Sequence, residues 1–179
     1  MRSGQIRNRY VQPILLKLSD KITDILVSIQ NGGWEVWLQM DLALELSSRL
    51  NGKFHRERLY EDGSGGIYNL HIETDRGATI YLELKAQKSQ DDDTTANRML
   101  NDIQKIKQLD QDFKTKNLVV SMAVSRLTNQ TEFANFKLLV REGIHAYSER
   151  KQFQQRLMAN ELRPNTLTLF WFDPHEKES

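Results

Sequence analysis

Residues 81–87 read Tyr81-Leu82-Glu83-Leu84-Lys85-Ala86-Gln87. A strand turns successive side chains to opposite faces. As a strand, this stretch puts Leu82, Leu84 and Ala86, with Ile80, on one face and Tyr81, Glu83, Lys85 and Gln87 on the other. The first set is an ordinary core face. The second lines up a carboxylate, an ammonium and an amide, an arrangement that packing alone does not require. A carboxylate at Glu83 can hold a divalent cation while Lys85 stabilises an anion or orients a water.

Two further strands precede this one. Phe54 to Tyr60 and Ile67 to Glu73 are separated by the flexible Glu61-Asp62-Gly63-Ser64-Gly65-Gly66, and Asp75-Arg76-Gly77 turns the chain into the strand with Glu83. Strict alternation in the middle strand puts Tyr68, Leu70 and Ile72 on one face and Asn69 and His71 on the other. Three strands with short turns predict an antiparallel meander.

Helical spacing flanks the meander. Ile14, Leu15, Leu18, Ile22, Ile25, Leu26 and Ile29 recur at that spacing between Tyr10 and Gln30, and a second helix is expected from Trp34 to Leu50, stopped by Asn51-Gly52. Trp34 and Trp37 are expected to anchor it in the core. After the meander, a helix is expected over Asn97 to Leu109, with Met99, Leu100, Ile103, Ile106 and Leu109 inward. A strand over Leu118 to Val124, a helix over Thr131 to roughly Tyr147, a further polar helical segment toward Leu157, and a strand over Leu167 to Phe172 complete the chain. The order α-α-β-β-β-α-β-α-β predicts an α/β (α+β) fold, a mixed sheet flanked by helices.

Composition narrows the function classes. The chain has 179 residues, 39% hydrophobic and 27% charged, which fits a single domain over residues 1–179 with a real core. No apolar run approaches the ~20 residues that span a bilayer, and the opening residues lack a signal-peptide stretch. Cysteine is absent, which removes disulfides, thiolate metal sites and thiol nucleophiles. A cytoplasmic protein without a membrane partner is the expectation. Lys and Arg number 25 against 24 Asp and Glu, interspersed, which argues against tight non-specific binding to duplex DNA. A local positive groove remains compatible with that balance.

The element order and Glu83-Leu84-Lys85 resemble the PD-(D/E)XK nuclease superfamily, the restriction-endonuclease-like fold. That family's core is a helix, a three-stranded meander, a helix and a further strand. Its motif is an acid on the second strand, then Glu or Asp, any residue, and Lys on the third. Gln87 matches a downstream Gln of several branches. The resemblance covers a nuclease-like core over 33–124 and leaves the N-terminal helical extension over 1–32 and the C-terminal helix and strand over 125–179 unexplained. The first-acid position falls on Asn69, fourteen positions before Glu83. An amide oxygen coordinates a cation but brings no charge, so a site with Asn69 is weakened. Glu57, Glu73 and Asp75 are the nearby acids available to replace it by migration.

The resemblance further implies a supporting acid on the helix before the meander: Glu35, with Gln39 one turn along, or alternatively Glu45. The implied site is Glu83, Asn69 and Glu35 around Mg²⁺ or Mn²⁺, with Lys85 serving the transition state and Gln87 in support. The implied activity is a metal-dependent DNA endonuclease or phosphodiesterase weakened at Asn69. The alternative is a catalytically inactive member of the fold acting as a protein-binding, immunity or accessory factor. DNA or a protein is accordingly the partner, and a homodimer stays open. His71 reads as either a site residue or a hydrogen-bonded strand histidine, Tyr81 as packing or a substrate wall, and Lys105 and Lys107 as phosphate contacts or helix surface.

Overall fold

The computed structural model of the chain describes residues 8, 33–61, 66–75, 77, 79–88, 94–125, 130–141, 144–147 and 168–175. The helix expected over 10–30 and the further helical segment expected toward Leu157 lie outside these residues.

Helix α1, Gly33–Leu50, buries Leu38, Leu42 and Leu46, residues at four-residue spacing on one stripe. It ends where expected. Asn51 adopts a left-handed φ of 48°, and Gly52 N–H returns to Ser47 O at 2.8 Å, closing the last turn. A side chain at Gly52 would meet Glu73 O at 2.6 Å, so the next strand can begin only with glycine there.

Strands β1 (Lys53–Leu59), β2 (Ile67–Glu73) and β3 (Thr79–Ala86) form the expected antiparallel meander. Helix α2 (Thr95–Gln108) and the short α3 (Gln111–Lys116), which the apolar spacing did not reveal, carry the chain to β4 (Leu118–Ser125). β4 lies parallel to β3. Helix α4 spans Gln130–Arg141, followed by β5 (His145–Tyr147) and β6 (Thr168–Phe172). The six strands make one mixed sheet in the order β1-β2-β3-β4-β6-β5.

One helix expectation is corrected here. The helix expected to run to Tyr147 stops at Arg141, and His145–Tyr147 pairs antiparallel with β6 instead. Ile144 N–H reaches back to Leu139 O at 3.3 Å, and His145 then opens the strand.

The sheet separates two apolar layers. On one face α1 packs on Leu70, Ile72, Ile80, Leu82, Leu84, Val120, Met122, Leu169 and Trp171. On the other, α2 and α4 close over Ala123 and Phe170, with Phe136 stacked on Phe170 at a ring separation of 3.7 Å. Trp37 does not anchor the core. It is 43% exposed, because the stripe through Leu38, Leu42 and Leu46 turns it outward. Among the described residues no helix is long and apolar enough to cross a membrane.

Candidate functional site

The site forms where the meander stops being regular. β1 and β2 keep one register from Lys53 opposite Glu73 to Leu59 opposite Ile67, but Glu57 and Asn69 do not pair. Glu57 has a φ of 50°, a conformation that costs a side-chain-bearing residue roughly 1–2 kcal/mol. Beyond this level the hairpin has turned over. Leu70 and Ile72 face α1, whereas Tyr68 packs with Tyr81, Ile106 and Val119 on the α2 side. Strict alternation therefore fails at Asn69, and Tyr68 shares its face with His71. Its hydroxyl lies 3.0 Å from His71 Nδ1, and His71 stacks on Tyr81 at 4.6 Å. His71 is thus a hydrogen-bonded strand residue and Tyr81 a packing residue.

The same inversion brings Tyr60 beneath β3, where its hydroxyl donates to Glu83 Oε1 at 3.0 Å. It also ends the β2–β3 ladder, whose last pair is Leu70 with Leu82. The unpaired edge of β3, buried at Leu84 and Ala86, then needs other acceptors, since a buried unpaired N–H costs about 1–3 kcal/mol. Two side chains supply them. Asn69 Oδ1 accepts from Leu84 N–H at 2.7 Å, and Glu35 Oε2 accepts from Ala86 N–H at 2.8 Å. Arg98 completes this cap, donating to Glu35 at 3.1 Å and to Ala86 O at 2.7 Å.

Inside the edge lies a charge cluster. Glu83 on β3 is 1% exposed and Asp102 on α2 is 2% exposed. Lys105 Nζ bridges them, 3.1 Å from Glu83 Oε1 and 2.9 Å from Asp102 Oδ1. Lys85 Nζ lies 2.9 Å from Asp102 Oδ2 and 3.3 Å from Asn69 Oδ1. Glu83 Oε2 and the hydroxyl of Ser121, its neighbour on β4, are buried and make no hydrogen bond among the described residues.

Burial raises the Glu83 pKa above the usual carboxylate value, and the Asp102 charge raises it further, against Lys105 and Lys85. Burial opposes the Lys105 ammonium, but Glu83 and Asp102 outweigh it and hold its pKa above the usual lysine value. The cluster is a balanced pair of buried acids and pair of bases, of which Lys105 reaches solvent.

The expected site residues are thus divided. Glu83 and Lys85 do point to one side of β3, and Asn69 joins them through Lys85. Glu35 is drawn instead to the end of β3 by Ala86 and Arg98. Gln87 is buried beyond the cluster, with its N–H on Val124 O at 3.0 Å and its side-chain oxygen 3.4 Å from Ser125 Oγ. Gln39 accepts from Arg56 at 3.0 Å on the α1 side. Glu45 pairs with Arg49 on the helix surface, Glu57 with Arg56, Glu73 with His55 and His71, and Asp75 with Asn51. Lys107 sits over the Phe172 ring.

The residue that sequence reasoning missed is Asp102. It occupies the buried stripe of α2 with Met99, Ile103 and Ile106, and a charged residue on an apolar stripe was the signal. Among the described residues, no group of three His, Cys, Asp or Glu side chains is arranged to hold a metal ion. Glu83 and Asp102 form a two-carboxylate group. Comparison with protein-family models, curated proteins and solved structures finds no match to this chain.

Proposed function

We propose that this chain is a metal-dependent phosphodiester hydrolase of the PD-(D/E)XK type, acting on DNA, in which Asp102 supplies the carboxylate missing at Asn69. The order of α1, an antiparallel meander, α2 and a strand parallel to β3 supports the restriction-endonuclease-like reading. One observation carries the chemistry: two buried carboxylates, Glu83 and Asp102, converge on a single positive charge beside Lys85.

The donor set fits Mg²⁺ or Mn²⁺. Such ions take one or two carboxylates and fill the remaining positions with water and phosphate oxygens. Glu83 Oε2 is buried without a hydrogen bond among the described residues and has lone pairs to give. Glu83 and Asp102 would hold the ion. Asn69 is a poor ligand, because Leu84 N–H and Lys85 already occupy its carbonyl oxygen. When bound, the ion polarises a scissile phosphate and lowers the pKa of a coordinated water. Lys85 neutralises charge that develops on the phosphoryl oxygens. Tyr60 fixes the orientation of Glu83 through its hydroxyl.

Supercoiled plasmid and single-stranded DNA, incubated with Mg²⁺ or Mn²⁺, test this reading. Cleavage is expected, with a loss of about 100-fold or more in Glu83→Gln and Asp102→Asn. No cleavage by the wild type, and none gained in Asn69→Asp, overturns it. The commitment of Asn69 to the β3 backbone favours a second reading, a non-catalytic fold member that binds a protein partner. That reading expects no Glu83-dependent Mn²⁺ binding.

A further inference from the structure

Lys105 is the least expected member of the cluster. It enters from α2, its side chain is 41% exposed, and its ammonium lies between two side chains that are nearly inaccessible to water. It uses one oxygen of each acid, Glu83 Oε1 and Asp102 Oδ1. A divalent cation shared by these carboxylates would be repelled by the ammonium and would draw on the same negative charge.

Lys85 does not compete in the same way. It lies on the far oxygen of Asp102 and is steadied by Asn69, so it can remain while a cation enters. Lys105 has a flexible four-carbon stem and a largely open outer side, which lets it swing toward solvent. Its release from two carboxylates is unfavourable unless another anion receives it. A phosphodiester entering beside Lys85 is such an anion.

We propose that Lys105 is an internal substitute for the metal ion, a displaceable ammonium that keeps the acid pair closed until a phosphodiester draws it away. Metal binding and phosphodiester binding are therefore coupled, each strengthening the other by the same factor. This regulation rests on the reading of Glu83 and Asp102 as the metal-holding pair.

Mn²⁺ binding, followed by the paramagnetic resonance signal of the free ion, tests the coupling without any cleavage. The probes are Mn²⁺ alone and Mn²⁺ with millimolar dimethyl phosphate, on wild type, Lys105→Met and Lys105→Arg. Wild type is expected to bind Mn²⁺ about tenfold more weakly than Lys105→Met, and dimethyl phosphate to close most of that gap. Lys105→Arg, which keeps the cation, is expected to behave as wild type. Far-ultraviolet circular dichroism checks that each variant is folded, and Lys105→Gln replaces Lys105→Met if the latter is not. Equal affinities for Mn²⁺ alone in wild type and Lys105→Met, abolished in both by Glu83→Gln, overturn the gating while sparing the acid pair. Absence of Glu83-dependent binding in Lys105→Met overturns the acid pair itself.

Discussion

The two faces of β3 differ by a single residue step and obey different rules. Leu82 and Leu84 lie in the aliphatic layer under α1, where neighbours are interchangeable and only volume matters. Glu83 and Lys85 lie under α2, where Glu83 Oε1 and Lys85 Nζ each depend on particular partners. The apolar face holds the fold together. The polar face buries the carboxylates of Glu83 and Asp102, whose desolvation costs stability that the apolar face does not lose.

The sharpest test of this division is Leu82→Ala. Leu82 is buried in the α1 layer, so its truncation is expected to cost about 2–5 kcal/mol in chemical denaturation. Mn²⁺ affinity of the folded protein is expected to stay unchanged. A tenfold change in that affinity would show that the two faces are not separable.

Asn69→Ala asks about the edge between the faces. Leu84 N–H loses its acceptor and Lys85 a neighbour, and the expected loss is about 1–3 kcal/mol. Asn69→Asp keeps the acceptor and adds a charge beside Lys85, so it is expected to stay within about 1 kcal/mol of wild type at neutral pH. Equal destabilisation by both variants would mean that the bond to Leu84 N–H carries little of the edge.

The pH dependence distinguishes the faces by sign. Burial, then Asp102, raises the Glu83 pKa in the fold, so the folded state holds this proton more tightly than the unfolded chain does. Glu83 therefore contributes most stability below the ordinary carboxylate pKa and loses that contribution as pH rises through its raised value. Unfolding free energies of wild type and Glu83→Gln, compared from about pH 4 to pH 8, are expected to move against the wild type as pH rises. A difference that moves the other way would show that Lys105 and Lys85 dominate over burial.

How much of this was legible in the sequence follows from how local each feature is. The alternation in residues 81–87 is local, and Glu83 and Lys85 share a side of β3 as expected. The meander, the stop at Asn51 and Gly52, and the stripe of α2 are equally local. The face inversion is not, because it depends on the left-handed Glu57, a residue type with little preference for that conformation. Without it Tyr60 does not reach Glu83, and Tyr68 is assigned to the wrong face. Asp102 depends on how α2 is seated on the sheet. Strand β5 depends on pairing with β6, which overrides a helical pattern in three residues.

Glu35 gives the smallest expected effect and bears most directly on where the site ends. Its Oε2 serves Ala86 N–H and Arg98, both at the tip of β3, and the acid pair lies farther in. Glu35→Gln retains an acceptor for Ala86 N–H and loses only the charge toward Arg98. Both partners are partly buried, so the ion pair is worth more than a surface pair but is backed by the bonds from Arg98 to Ala86 O and Thr95. A stability loss of about 1 kcal/mol or less is expected in denaturant titration. If Glu35 only caps the strand, Mn²⁺ affinity stays within about twofold of wild type, because neither carboxylate of the proposed metal-holding pair has been altered. A loss of tenfold or more, with the fold intact, would bring Glu35 back beside Glu83. The acid pair would then be a triad, and the polar face of β3 would extend through its edge to α1.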